Sequence, residues 1–87
     1  MADISWNIVK NERLKKTRGV SFDELLGKAR LLTVKRHHAR PEQYIMLFYY
    51  KNYVWIVPFV KDNEGNMFLK TLYPSRKYTN LYKGGRS

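Results

Sequence analysis

The sequence predicts an α+β domain: two N-terminal helices, a three- to four-stranded antiparallel sheet and a C-terminal helix. Three observations predict it. The chain has 87 residues, 44% of them hydrophobic and 15% aromatic, enough for one core and no second. The apolar period changes once, from helical spacing before Arg30 to β-branched and aromatic runs after it. Elements of one kind then follow one another instead of alternating, which separates α+β from βαβ architectures. Residues 1–83 are read as a single domain and 84–87 as a disordered tail.

Ile4-Ser5-Trp6 has the pattern of a short strand. Asn7 suits the cap of a helix running to about Lys16, with Ile8, Val9 and Leu14 as its apolar anchors, and Gly19 suits its stop. Ser21 and Glu24 have capping-box spacing. The helix they open carries Phe22, Leu25, Leu26 and Ala29 on one stripe.

Leu31 to Arg36, Gln43 to Tyr50 and Tyr53 to Val60 read as strands, with Lys51-Asn52 as a tight hairpin turn. Asp62 to Asn66 reads as a second turn, with Gly65 free to take positive φ. Met67 to Tyr73 is the last strand, in which Lys70 alternates with Phe68 and Leu72. Pro74 fits the first turn of a helix reaching about Tyr82. Pro58 inside a strand implies an edge position or a bulge.

Both faces of the central strands are apolar, so both need cover. Two helices precede the sheet and share one face. The terminal helix is too short to hide Trp55, Phe59, Tyr44 and Phe48, which predicts an exposed patch and a partner that covers it.

Charge narrows the partners. Seventeen Lys and Arg stand against seven Asp and Glu, a formal net charge of +10. Residues 10 to 40 hold ten cations and three acids, and residues 67 to 87 hold five cations and no acid. Such acid-free clusters suit a phosphate-tracking surface, and RNA is the expected polyanion. No cysteine is present, so no disulfide or thiolate metal site is expected. The longest apolar run, Tyr53 to Val60, falls well short of the ~20 residues of a membrane span. No membrane partner and a cytoplasmic location are the reading.

Lys35-Arg36-His37-His38-Ala39-Arg40 is the densest cationic segment. A histidine there could carry a proton in RNA cleavage; two idle loop histidines are the plain alternative. Arg76 stands at a strand-to-helix junction, where free amides and a guanidinium fork both favour phosphate. Lys70 among apolar neighbours suggests a site, with snorkelling to the rim as the alternative. Tyr73, Tyr78 and Tyr82 beside these cations suit base stacking, or simply packing. For cleavage, Arg76 is assigned to charge stabilisation, Lys70 and Lys35 to phosphate positioning, and His37 or His38 with Tyr78 to proton transfer. Lys35, Arg36, Arg40, Lys77 and Arg18 complete the RNA surface. No metal and no cofactor are expected, because scattered acids and adjacent histidines make no ligand set.

Trp6-Asn7-x-x-Lys10-Asn11, followed by Arg18-Gly19-Val20-Ser21-Phe22, resembles the opening of BrnT-type toxins. The closing strand with Pro74-Ser75-Arg76-Lys77 resembles that family's strand followed by S-A-R-K. The resemblance implies a RelE-like fold and a ribonuclease toxin of a type II toxin–antitoxin module. It also implies a small DNA-binding antitoxin, and the net charge adds that the antitoxin's contacting segment is acidic and amphipathic. This chain departs from the pattern in three places. Arg18 replaces a His, Thr71 stands where an Arg is usual with Lys70 beside it, and Tyr82 replaces a Glu. The expected function is therefore a metal-independent endoribonuclease toxin that stops translation. The alternative is a non-catalytic RNA-binding module. A lipid-surface role is disfavoured by the thin apolar face of the first helix.

Overall fold

A computed structural model describes residues 3–84. The chain runs β1 (Ile4–Trp6), α1 (Ile8–Arg18), α2 (Phe22–Lys28), β2 (Arg30–Arg36), β3 (Tyr44–Tyr50), β4 (Tyr53–Lys61), β5 (Met67–Leu69), β6 (Tyr73–Pro74) and α3 (Arg76–Gly84). The α+β class and the order of helix pair, sheet and helix agree with the sequence reading. Gly84 belongs to α3, and the rest of the expected tail lies outside the described residues. The sheet differs from the expected antiparallel meander. It is mixed and six-stranded, ordered β1-β5-β4-β3-β2, with β6 also paired to β4. β1 lies parallel to β5, Ile4 opposite Met67.

Asn7 caps α1 by accepting the Lys10 amide at 2.9 Å, and Gly19 ends it at φ 77°. Of the three expected anchors only Leu14 is buried; Ile8 and Val9 are 71% and 65% exposed. Asn11 does the joining instead. Its side-chain oxygen accepts the Phe22 amide at 2.7 Å and its amide nitrogen donates to Asp23 at 2.9 Å, which locks α1 to the start of α2. Ser21 accepts the Glu24 amide at 3.3 Å, one half of the expected capping box. The other half is missing, because the Glu24 carboxylate turns to Lys15 and Tyr50.

β3 and β4 pair from Tyr44↔Phe59 to Tyr50↔Tyr53. Lys51 and Asn52 take φ of 53° and 63°, the doubly positive turn that matches strand twist. The last strand is interrupted. β5 stops at Leu69 and β6 resumes at Tyr73, yet Leu69 and Leu72 are both buried in the same core. The extra residue breaks the expected alternation: Phe68 and Lys70 are exposed while Leu72 turns inward. Pro58 sits on the neighbouring strand opposite this interruption, and its carbonyl accepts the Lys70 amide at 2.8 Å. A residue with no N–H to donate is tolerated in a central strand there, because its partner strand is irregular. Pro74 pairs with Trp55 and ends β6; Ser75, not Pro74, opens α3 by accepting the Tyr78 amide at 3.1 Å.

Among the described residues the expected apolar patch is covered. The register puts Phe48, Trp55 and Phe59 on the face of the helix pair, where Leu14, Val20, Phe22 and Leu25 cover them; Tyr44 is half-buried at its margin. The other face, Ile45, Leu47, Val54 and Ile56, packs under Tyr73, Tyr78 and Tyr82. Buried Thr79 pins α3 there: its hydroxyl donates to the Ser75 carbonyl at 2.6 Å and accepts the Val54 amide at 2.8 Å.

Candidate nucleic-acid interface

The cations fall into three groups set by the strand register. The first lies where α1 runs beside the interrupted strand. A groove of about 420 Å³ is lined by Asn7, Val9, Lys10, Arg13, Phe68 and Lys70, three cations and no carboxylate. Lys70 points outward on the exposed side it shares with Phe68. Arg18, at the end of α1, donates to the Leu72 carbonyl at 3.0 Å and so braces the same interruption. Neither Lys10 nor Arg13 was assigned to the RNA surface from the sequence, and their place beside Lys70 in this groove reveals them.

The second group is the first turn of α3 with β2. Arg76 and Lys77 are exposed. Tyr78 reaches across the sheet to Lys35, whose Nζ donates to the phenol oxygen at 3.2 Å and lies 5.0 Å from the ring centroid.

The third group is the β2–β3 loop and the strand ends beside it. The rings of His37 and His38 stack at 5.2 Å, and His37 Nδ1 accepts the Ala39 amide at 3.1 Å. Arg36 donates to the Pro41 carbonyl at 2.9 Å and its guanidinium lies against Tyr44. Arg40 is exposed in the same loop.

These groups do not converge on one point. The Ser75 amide bonds the Val54 carbonyl, which fixes Arg76 near the start of β4. The His37 amide bonds the Gln43 carbonyl, beside Tyr44, which is paired with Phe59. Val54 and Phe59 are five residues apart along the strand, roughly 17 Å. Arg76 and the histidines therefore stand at opposite ends of the sheet. Tyr78 and Lys35 are in direct contact across elements, and His37 and His38 stack within one loop.

A second cavity, about 680 Å³ between α1 and α2, mixes Lys15, Lys16 and Lys28 with Glu12, Asp23 and Glu24. Its acids make it a poor phosphate site. Glu24 there is structural. It pairs with Lys15 at 2.6 Å and Lys51 at 3.6 Å and accepts the Tyr50 hydroxyl. The hydrogen bond from Lys15, then that from Tyr50, hold its carboxyl at about 2, and the same bond pushes the Tyr50 phenol up. Because the folded-state value lies below the unfolded one, this contribution is complete above about 4.5 and is lost as pH falls toward about 2. Glu24→Gln is expected to cost about 1–2 kcal/mol at neutral pH, since Lys15 is half exposed and its charge partly screened. Urea titrations of both proteins at pH 7 and pH 2.5 check this: the difference should shrink at the lower pH.

A scan against protein-family models finds no match, and neither the curated proteins nor the solved structures contain one.

Proposed function

We propose that this chain is a metal-independent endoribonuclease toxin of the BrnT type, with a RelE-like arrangement of its elements, that engages RNA through its cationic surface. The observation that carries the reading is the state of those cations. Among the described residues Glu24 is the only carboxylate in an ion pair, with Lys15 and Lys51. A surface crowded with cations lacking counter-ions repels itself, and a polyanion relieves that repulsion. Tyrosine rings beside Lys35, Arg36, Lys51 and Lys61 add aromatic faces of the kind that hold single-stranded bases.

The chemistry is attack of a ribose 2′-oxygen on the adjacent phosphorus with expulsion of the 5′-oxygen. A base takes the 2′-hydroxyl proton, an acid protonates the leaving oxygen, and a cation meets the phosphorane charge. Arg76 and Tyr78 share the first turn of α3, so we assign the reaction to them, while Lys35, bonded to Tyr78 from the histidine end of β2, positions the phosphate backbone. Lys70, with Lys10 and Arg13, seats the backbone. Lys77 adds a cation beside Arg76, and Arg36 and Arg40 add theirs at the β2–β3 loop. Arg18 braces the interruption beside Lys70, and His37 and His38 lie too far from Arg76 to share its phosphate. The antitoxin remains the proposed protein partner, an acidic amphipathic segment that neutralises the cations; the covered sheet faces remove the apolar patch as a reason for it.

A second reading, RNA binding without cleavage, is favoured by the separation of the histidines from Arg76. Both readings require RNA affinity to fall by orders of magnitude between 50 and 200 mM salt if roughly five or more phosphates are contacted. Fluorescence anisotropy with a labelled single-stranded RNA measures it, and a flat salt response contradicts both.

A further inference from the structure

We propose that Arg36, Tyr44 and Lys61 form a second phosphate seat for single-stranded RNA, separate from the groove at Lys70; the proposal rests on the RNA reading above. The guanidinium carbon of Arg36 lies 5.1 Å, and Nζ of Lys61 4.7 Å, from the centroid of the Tyr44 ring. Phe59 backs that ring, with centroids 5.6 Å apart and planes 23° from parallel. The register builds the cluster. Arg36 faces Tyr44 across β2 and β3, and Tyr44 faces Phe59 across β3 and β4. Lys61 follows Phe59 by two residues, which returns it to the same face. The bond from Arg36 to the Pro41 carbonyl fixes the guanidinium from behind. Two backbone bonds of 2.9 Å, His37 to Gln43 and Gln43 to Arg40, close the loop that carries that carbonyl.

Two cations gathered on one ring repel each other. The ring attracts each by about 0.5–1 kcal/mol at an exposed site but neutralises neither. The nearest acids in sequence are Glu42 and Asp62, and neither is in an ion pair among the described residues. The Asp62 carboxylate is occupied elsewhere, accepting the amides of Glu64 and Asn66 at 2.9 Å and the Asn66 side chain at 3.1 Å. What remains is a guanidinium with N–H groups in a fork and an ammonium against the same ring, neither in an ion pair among the described residues, which are donors suited to a phosphate.

The test compares salt titrations of single-stranded RNA binding to the full chain, to Arg36→Gln/Lys61→Gln, and to a control of equal charge change, Lys16→Gln/Lys28→Gln. All four side chains are exposed, so circular dichroism should show unchanged folds. Loss of two phosphate contacts should flatten the slope of log affinity against log salt by about 1.4 in the first variant, with little change in the control. Equal slopes in the two variants would overturn the seat while leaving RNA binding intact. A wild type with no salt slope would overturn the seat and the RNA reading together. Poly-glutamate serves as a second probe: if the Arg36/Lys61 variant loses poly-glutamate affinity yet keeps its RNA slope, the cluster belongs to an acidic protein and the proposal fails.

Discussion

Arg76→Ala is expected to slow RNA cleavage by on the order of 10²–10³ while leaving stability within about 0.5 kcal/mol. The two effects separate because of where Arg76 sits. It is exposed at the first position of α3, and the cap of that helix is supplied by Ser75. A cation at a helix N-terminus opposes the local dipole, so its removal takes nothing from the fold. If it meets the phosphorane charge, its loss removes a preorganised donor at the moment charge develops. In cells, the variant should be tolerated where the wild type arrests growth. Equal toxicity at matched expression would remove Arg76 from the reaction, and harmlessness of the wild type without an antitoxin would count against the toxin reading itself.

Phe22→Ala is expected to cost about 3–5 kcal/mol, in the range for deleting a buried aromatic side chain. Phe22 is 1% exposed, and its ring lies 5.8 Å from that of Trp6. Its amide is held by Asn11, so the same residue joins β1, α1 and α2 to the sheet. For a domain of this length the total stability is of the order of 4–13 kcal/mol, so the variant should be partly unfolded at 37 °C. Val9→Ala, at an exposed position of α1, should stay within about 0.5 kcal/mol. Urea unfolding of the two decides it; a Phe22 variant as stable as the Val9 variant would contradict the packing of the helix pair.

Local signals in the sequence translated well. Asn7, Gly19, Ser21, the Lys51-Asn52 turn and Gly65 all act where their chemistry predicts. These are short-range effects, written in a few adjacent residues. The residues on which the proposed BrnT likeness rests belong largely to this group. Trp6 packs against Phe22, Asn7 caps, Asn11 ties and Phe22 fills the core, so that likeness bears on the fold more than on the reaction.

What was hidden depends on long-range pairing. Three residues cannot announce that β1 lies parallel to β5. Strict alternation cannot announce the interruption that turns Leu72 inward, off the exposed side of Phe68 and Lys70. The cover over Trp55, Phe48 and Phe59 follows from a register that the sequence does not state. The same holds for the site. Lys10 and Arg13 become candidates only through their position beside Lys70, and the histidines lose their place beside Arg76 only through the length of β4.

The proposed reaction assigns its proton transfers and charge stabilisation to side chains, so cleavage without a divalent ion is its central claim. The most direct measurement is incubation of the purified full chain with single-stranded RNA in EDTA, at concentrations that saturate binding, followed by analysis of the product ends. The account predicts discrete fragments ending in 2′,3′-cyclic phosphate and 5′-hydroxyl groups. Fully bound but intact RNA, or cleavage that appears only when magnesium is restored, would contradict it.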